Sequence, residues 1–340
     1  MSRNRSSLGS KLMRRRQFIN LLGATMTWPL AARARQDRSG RRIGVLIPFT
    51  ATDAEAKRYM AALRQGLREL GWAEGRDVGL EVRYLNGQLD RTTAVVSELM
   101  GLDVEILVTE GSQVVQAARE VTGTIPIIFA RVGDAVGAKF AASLARPGGN
   151  LTGLSLYATE QGEKRLEILS EILPGLTKAA MLWNSKNASQ RLQAKKIEAA
   201  ATVLTIELRS FAVPECGDFE VCVHEAAQTG AQALITLDDA LIQSHRAQII
   251  GLALQRKLPV VGEFRASVDA GALMSYSADA GAMWHRAASF VDRILRGAKP
   301  SELPVELPTQ FQLIVNLKTA RELGINVPAA ILARADEVIE

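Results

Sequence analysis

Histidine and cysteine are scarce in this chain of 340 residues, which contains three histidines and two cysteines. His224 begins a segment similar to the HExxH zinc motif, but Gln228 occupies the second ligand position, so the metal interpretation fails. Cys216 and Cys222 lie close together in the second half of the chain, so they do not face each other across a cleft as a cofactor-independent racemase would need. We therefore expect no metal site and no thiol catalysis, while a local disulfide between the two cysteines stays open.

The motifs that bind nucleotides or activate a serine are also missing. IGVLIPFTATD follows the first predicted strand where a dinucleotide-binding protein would have GxGxxG, and residues 133–139 have the wrong spacing for a phosphate-binding P-loop. The serine of TEGSQ lacks the second glycine of a nucleophile elbow. We expect no cofactor, no catalytic residues and no enzymatic activity, since an enzyme would rest on analogy of fold alone.

Acidic residues are absent from residues 1–34, which carry seven basic ones. An apolar run at residues 18–30 follows them and is shorter than the roughly 20 residues that span a bilayer. Ala32-Arg33-Ala34 has the small-x-small pattern of a signal-peptidase site, and RRRQFIN resembles the twin-arginine export signal of bacteria. We predict a twin-arginine signal peptide over residues 1–34, cleavage near Ala34 and a periplasmic mature protein; a basic tail on a cytosolic protein is the alternative.

Long apolar runs are missing beyond the signal, so the mature chain is expected to be soluble. Removing the seven positive charges of the signal from the formal net charge of +5 leaves about −2. The basic balance therefore belongs to the signal, and we predict no nucleic-acid partner. An apolar content of 47% over this length is enough for two ordinary domains.

Apolar strands alternate with amphipathic helices along the chain. Ile43–Ile47 reads as a buried strand, the next helix carries Met60, Leu63, Leu67 and Leu70 on one face, and a second series of strands begins at Ala179. This alternation predicts an α/β fold of two Rossmann-like lobes, each with a parallel sheet covered by helices. We assign residues 42–154 and about 277–308 to the first lobe, and 155–276 and about 309–340 to the second, with a hinge of several segments between them.

Helix starts are predicted at Asp90 and Ser112, a short helix is predicted after Asp134, and one helix is predicted at residues 240–256.

Ligands bind at the carboxyl ends of the strands in open parallel sheets, where loops and helix N-termini present polar groups. The predicted ligand contacts at these positions are Phe49, Thr50, Gly111, Ser112, Asp134, Asn184, Asn187, Asp238, Glu263 and Tyr276. Glu110, Arg131 and Asp239 occupy further strand ends. Such hydroxyls, amides and carboxylates suit a small zwitterion or polar organic ligand. Helix capping is the competing interpretation for Ser112, Asp134 and Asp238.

Several long segments resemble one family. ALRQGLRELGWAEGRDVGLEVRY, TGTIPIIFARVGDAVGAKFAASLARPGGNLTGLS and the region from GALMSYS to GINVP resemble the substrate-binding proteins of ABC transporters, related to tryptophan- and tyrosine-binding components. The resemblance covers Arg42 to Glu340 and implies a type I periplasmic binding fold that closes on a ligand. Its frequent Asp-Pro-Val and Gly-Thr-Pro are Asp134-Ala135-Val136 and Gly111-Ser112-Gln113 here.

The resemblance also implies partners. We expect a monomeric periplasmic solute-binding protein of an ABC importer, which captures a small polar or aromatic ligand, an amino acid among the candidates. It would deliver that ligand to a permease in the inner membrane, driven by a separate ATPase because this chain has no P-loop. The alternative is an extracytoplasmic ligand-sensing module of a membrane receptor. A repressor would need a DNA-binding helix-turn-helix before residue 42, where the export signal lies.

Overall fold

The computed structural model describes residues 40–156, 158–215 and 217–340. The predicted signal peptide and Cys216 lie outside these residues. Cys222 is buried and disulfide-bonded. None of the helices in the described ranges has the length and apolar character needed to cross a membrane.

The first sheet is entirely parallel, with the strand order β2-β1-β3-β4-β5. Its strands are β1 (Arg41–Ile47), β2 (Val78–Tyr84), β3 (Ile106–Glu110), β4 (Ile127–Val132) and β5 (Leu151–Ser155). The connecting helices are α1 (Ala54–Glu69), α2 (Thr92–Met100) and α3 (Ser112–Val121), and a 3-10 turn at Leu89–Arg91 precedes α2. We call this sheet and the helices packed on it the first lobe.

The second sheet has the order β12-β11-β10-β9-β8-β6-β7. Its strands are β6 (Lys178–Asn184), β7 (Glu207–Val213), β8 (Leu234–Thr236), β9 (Val260–Gly262), β10 (Met274–Ala278), β11 (Phe311–Asn316) and β12 (Glu337–Ile339). The helices that join and cover them are α4 (Ala158–Ile172), α5 (Ala188–Val203), α6 (Phe219–Gln228), α7 (Ala240–Ser244), α8 (Arg246–Gln255), α9 (Arg265–Asp269), α11 (Leu317–Leu323) and α12 (Ala329–Leu332). This unit is the second lobe.

The inner strands of both sheets, such as β3 and β4, are buried apolar runs, as expected where helices cover both faces. The strands β2, β7 and β12 at the sheet edges are only partly buried. β11 pairs antiparallel with β10, so the second sheet is mostly rather than wholly parallel. The predicted fold class of two α/β lobes is confirmed.

Helix α10 (Ala280–Leu295) returns from the second sheet to the first lobe. It packs along α1, where the Tyr59 and Trp284 rings stack with centroids 5.4 Å apart. The chain passes between the sheets after β5, after β10 and again before β11. The segment before β11 runs beside the end of β5, since the Ser155 N–H donates to the Glu306 carbonyl at 2.9 Å. The exact lobe boundaries stay a prediction.

The crossing of α1 and α10 depends on Gly66. A β-carbon at this position would lie 2.6 Å from the His285 carbonyl oxygen and 2.8 Å from the Ala288 β-carbon. We expect Gly66→Ala to lower the free energy of unfolding by about 1–3 kcal/mol, because backbone must move to admit the methyl group. Urea unfolding would measure the loss.

Gly251→Ala is the matched control, because a β-carbon at this position of α8 meets nothing within 4 Å. It should leave stability unchanged or raise it, since alanine favours the helix. Equal losses in both variants would contradict the close packing inferred at Gly66.

Several local predictions are wrong for identifiable reasons. The short helix after Asp134 is a series of turns, because Lys139 has φ +59° and the single turn closed onto Asp134 does not continue. Asp90 lies in the 3-10 turn and does not cap α2. Helix α3 starts at Ser112 as predicted, but the Ser112 hydroxyl does not cap it, because Gly111 occupies the N-cap position. The helix expected at residues 240–256 breaks at His245 into α7 and α8.

Candidate functional site

A cavity of about 40 Å³ lies between the lobes at the carboxyl ends of several strands. The first lobe and the passage after β5 contribute Pro48, Glu110, Gly111, Ser112, Arg131, Val132, Gly133 and Leu156. The second lobe contributes Asn187, Ser189, Gln190, Gln193, Asp238, Asp239, Ala240, Glu263 and Phe264. This volume holds a few water molecules, so a larger ligand requires the lobes to part. In the described ranges, no group of three or more His, Cys, Asp or Glu could hold a metal ion.

The wall from the first lobe is built on a buried ion pair. Arg131 Nη2 donates to Glu110 Oε1 at 3.0 Å, and Trp284 Nε1 donates to the other carboxylate oxygen at 2.9 Å. Burial raises the pKa of Glu110, against the opposing effect of Arg131. Burial lowers the pKa of Arg131, but the charge and hydrogen bond of Glu110 together with the smaller effects of Tyr59 and Glu263 outweigh it, and the net shift is upward. The guanidinium also lies 3.9 Å from the Phe264 ring centroid, which ties this wall to the second lobe.

The facing wall is built around two adjacent strand ends, after β8 and β9. Asp238 Oδ2 accepts from Gln243 Nε2 at 2.6 Å and from the Glu263 N–H at 3.0 Å, while Glu263 Oε2 accepts from the Asp238 N–H at 3.1 Å. Arg165 Nη1 lies 3.6 Å from Glu263 Oε1, and both side chains are buried. Burial raises the pKa of Glu263, which Arg165 partly opposes. These reciprocal bonds hold the two carboxylates in place.

Asp239 carries the capping role that was considered for its neighbour Asp238. Its Oδ1 accepts from the Leu241 and Ile242 N–H groups at 3.0 Å, so it caps α7. Its Oδ2 accepts from Asn184 Nδ2 at 2.7 Å and Asn187 Nδ2 at 3.2 Å. Burial raises the pKa of Asp239. Asp238 therefore caps no helix, and its Oδ1 is not used by the bonds that hold its Oδ2.

Three buried polar atoms of the lining residues have no hydrogen-bond partner among the described residues: Arg131 Nη1, Gln193 Nε2 and Asp238 Oδ1. Two are donors and one is a carboxylate acceptor. Because a buried polar atom without a partner costs roughly 1–3 kcal/mol, such atoms favour a ligand that supplies the missing bonds.

The lobes touch directly around the cavity, so this conformation is closed. Ser112 and Ser189 hydroxyls lie 3.0 Å apart, and Asn184 Nδ2 donates to Gln113 Oε1 at 3.3 Å. Ser112, which lines the cavity, thus also bridges the lobes in this state, and its role as a ligand contact stays a prediction.

Of the predicted ligand contacts, half belong to the cavity lining: Gly111, Ser112, Asn187, Asp238 and Glu263. The other five do not. Asn184 lies one hydrogen bond behind it on Asp239, and Asp134 Oδ1 accepts from the Val136 and Gly137 N–H groups. Phe49 is buried beside Tyr59, Thr50 is exposed, and Tyr276 stacks on Phe311. Their roles as ligand contacts stay predictions.

The ligand-contact prediction omitted several lining groups. Glu110, Arg131 and Asp239 stand at strand ends and could have been chosen by the same rule. Gln190 and Gln193 lie on the buried face of α5, and Phe264 follows Glu263. Nothing in the sequence distinguishes these glutamines from ordinary helix residues; only the approach of the lobes brings them to the cavity.

Two α/β lobes that meet at the carboxyl ends of their strands define the type I periplasmic binding fold. A model of the family described as ABC transporter substrate binding protein matches residues 43–339, and the chain belongs to this family.

The similar proteins agree with this membership. A solved "conserved domain protein" from Vibrio cholerae is 27% identical, covers 88% of this chain and 100% of its own, and superposes with a TM-score of 0.82. An ABC domain from Streptococcus pneumonia, solved in complex with L-Trp, is 24% identical over 88% of this chain and 100% of its own, with a TM-score of 0.81. A tyrosine-binding protein of Clostridioides difficile is 22% identical over 287 residues, which are 84% of this chain and 81% of that protein.

Proposed function

We propose that this protein captures a small zwitterionic ligand, an α-amino acid, between its lobes. The observation that carries the proposal is the set of buried atoms of lining residues without partners: a carboxylate oxygen of Asp238 and donors on Arg131 and Gln193. An ammonium group would satisfy Asp238, and a carboxylate would accept from Arg131 and Gln193. The N-termini of α3 and α5 lie at the same cavity and favour the carboxylate.

The charge in the site supports a cationic group on the ligand. Among the lining residues, Glu110, Asp238, Asp239 and Glu263 are acidic and Arg131 is basic, with Arg165 directly behind Glu263. Two guanidinium groups face four carboxyl groups, and burial disfavours excess charge of one sign. A ligand ammonium group would reduce this excess, whereas a ligand with only a carboxylate would increase it.

An aromatic side chain on the amino acid is the favoured choice. Phe264 lines the cavity and already stacks with Arg131, so a ring has an apolar surface to pack against once the lobes part. The relatives described as tyrosine-binding and as solved with L-Trp support the same class.

We also propose where the protein acts and where its ligand goes. The chain would be exported by its N-terminal signal, act as a monomer in the periplasm and deliver its ligand to a membrane permease with a separate ATPase. Closure would select the ligand because it binds the closed state better than the open one.

Calorimetry with refolded, ligand-free protein tests the proposal. We expect L-tyrosine or L-tryptophan to bind, and each analogue lacking either the amino or the carboxyl group to bind at least about 100-fold more weakly, because one buried charge would stay unpaired. Tryptamine and indole-3-propionate are the matched controls for L-tryptophan. The absence of heat for all common amino acids would contradict the proposal.

A further inference from the structure

An ion pair joins the two lobes away from the cavity. Arg246 Nη2, on the second lobe, donates to Asp53 Oδ2, on the first, at 2.7 Å. The side chains are only 18% and 14% exposed. Among the described residues, this is the one pair of opposite charges within 4.0 Å that connects the lobes.

Both partners are held in place by their own lobes. Asp53 Oδ1 caps α1 by accepting from the Glu55 N–H at 2.8 Å, which leaves Oδ2 for the arginine. Arg246 Nη1 donates to the Gln243 carbonyl at 2.7 Å. Because each side chain has a hydrogen-bond partner within its own lobe, forming the pair should cost little additional conformational entropy.

The arginine is connected to the cavity through α7. Asp239 caps the first turn of this helix, and Gln243 in its last turn donates to Asp238 at 2.6 Å. Gln243 thus contacts Asp238 through its side chain and Arg246 through its carbonyl. The position of Arg246 therefore depends on the same carboxylates that face the ligand.

We propose that Asp53 and Arg246 form an interlobe latch, which positions the closed lobes and slows the release of ligand. The part that concerns release rests on the proposed ligand-binding function; the part that concerns closure does not. The latch exists only when the lobes are closed, so its free energy adds entirely to the closed state. Because the pair is largely buried, its loss acts mainly on dissociation.

Asp53→Asn and Arg246→Met separate the latch from folding. Asparagine still caps α1, and methionine keeps much of the apolar stem of arginine. Arg83→Met is the matched control, since Arg83 Nε pairs with Glu98 at 2.8 Å within the first lobe. The measurements on the full chain are the radius of gyration without ligand, by X-ray scattering, and the dissociation rate of L-tyrosine. Thermal unfolding of all variants verifies that they fold.

We expect both latch variants, and not the control, to have a larger radius of gyration or to release L-tyrosine about tenfold faster. If both variants match Arg83→Met in compactness and in release, the latch does not exist. If wild-type protein binds no L-tyrosine, the aromatic ligand class is wrong and the scattering comparison alone decides whether the latch exists.

Discussion

Replacing Arg131 by methionine is expected to lower the free energy of unfolding by about 3–5 kcal/mol, because it leaves Glu110 buried without its cation. The exposed fraction of the Glu110 side chain is 1%, so water cannot replace the lost guanidinium. The variant also loses the contact with the Phe264 ring, which ties the first lobe to the second. Urea unfolding at neutral pH would measure the effect.

The double variant Glu110→Gln/Arg131→Met distinguishes a charge effect from a packing effect. It removes both buried charges and keeps an acceptor for Trp284 Nε1, so it should be more stable than Arg131→Met alone. Arg83→Met breaks an exposed pair and should cost less than about 1 kcal/mol. If the double variant loses as much stability as the summed losses of Glu110→Gln and Arg131→Met, then packing dominates and unpaired charge does not.

Asp238→Asn is expected to weaken binding of the amino acid by about 100-fold, because the ligand ammonium loses its buried counter-charge. The substitution keeps the size of the side chain and an oxygen for the Gln243 and Glu263 donors. The fold should therefore be retained while affinity falls. Calorimetry with L-tryptophan or L-tyrosine, together with thermal unfolding of the free protein, measures both quantities.

Asp134→Asn is the control for charge in the same region. Its carboxylate caps the Val136 and Gly137 N–H groups and is not part of the cavity lining, so affinity should change little. The direction of the Asp238→Asn effect is informative in itself. Stronger binding would mean that the ligand is an anion without an ammonium group, and unchanged binding would mean that Asp238 only supports its own lobe.

The secondary structure followed largely from local patterns. Apolar runs such as Ile43–Ile47 and the spacing of Met60, Leu63 and Leu67 predicted β1 and α1 directly. Leu70 was wrongly placed on the same buried face, because it follows the last residue of α1 and is exposed. The turns after Asp134 were not predicted, because one residue with positive φ, Lys139, interrupts a helical start. The reversed direction of β11 was also missed, since an apolar strand has the same pattern in either direction.

The site was predicted in part, by a rule of topology. Parallel strands end at one edge of a sheet, which identified Asp238 and Glu263 as candidates without knowledge of any contact. The rule could not rank candidates. It also chose Tyr276, whose ring packs on Phe311, because adjacency to a strand end does not state which direction a side chain takes.

By itself, the sequence determined the two-lobed α/β class and family of this protein, because these depend on periodicity and on long characteristic segments. Only the tertiary structure decided which strand-end groups meet. Two of these contacts join residues far apart in the sequence: Arg131 pairs with Glu110, 21 positions away, and Arg246 pairs with Asp53 on the other lobe. The Asp238 oxygen without a partner lies in buried surroundings that both lobes contribute. Such contacts depend on how the two lobes approach each other in space, and the local propensity of a segment carries no information about that approach.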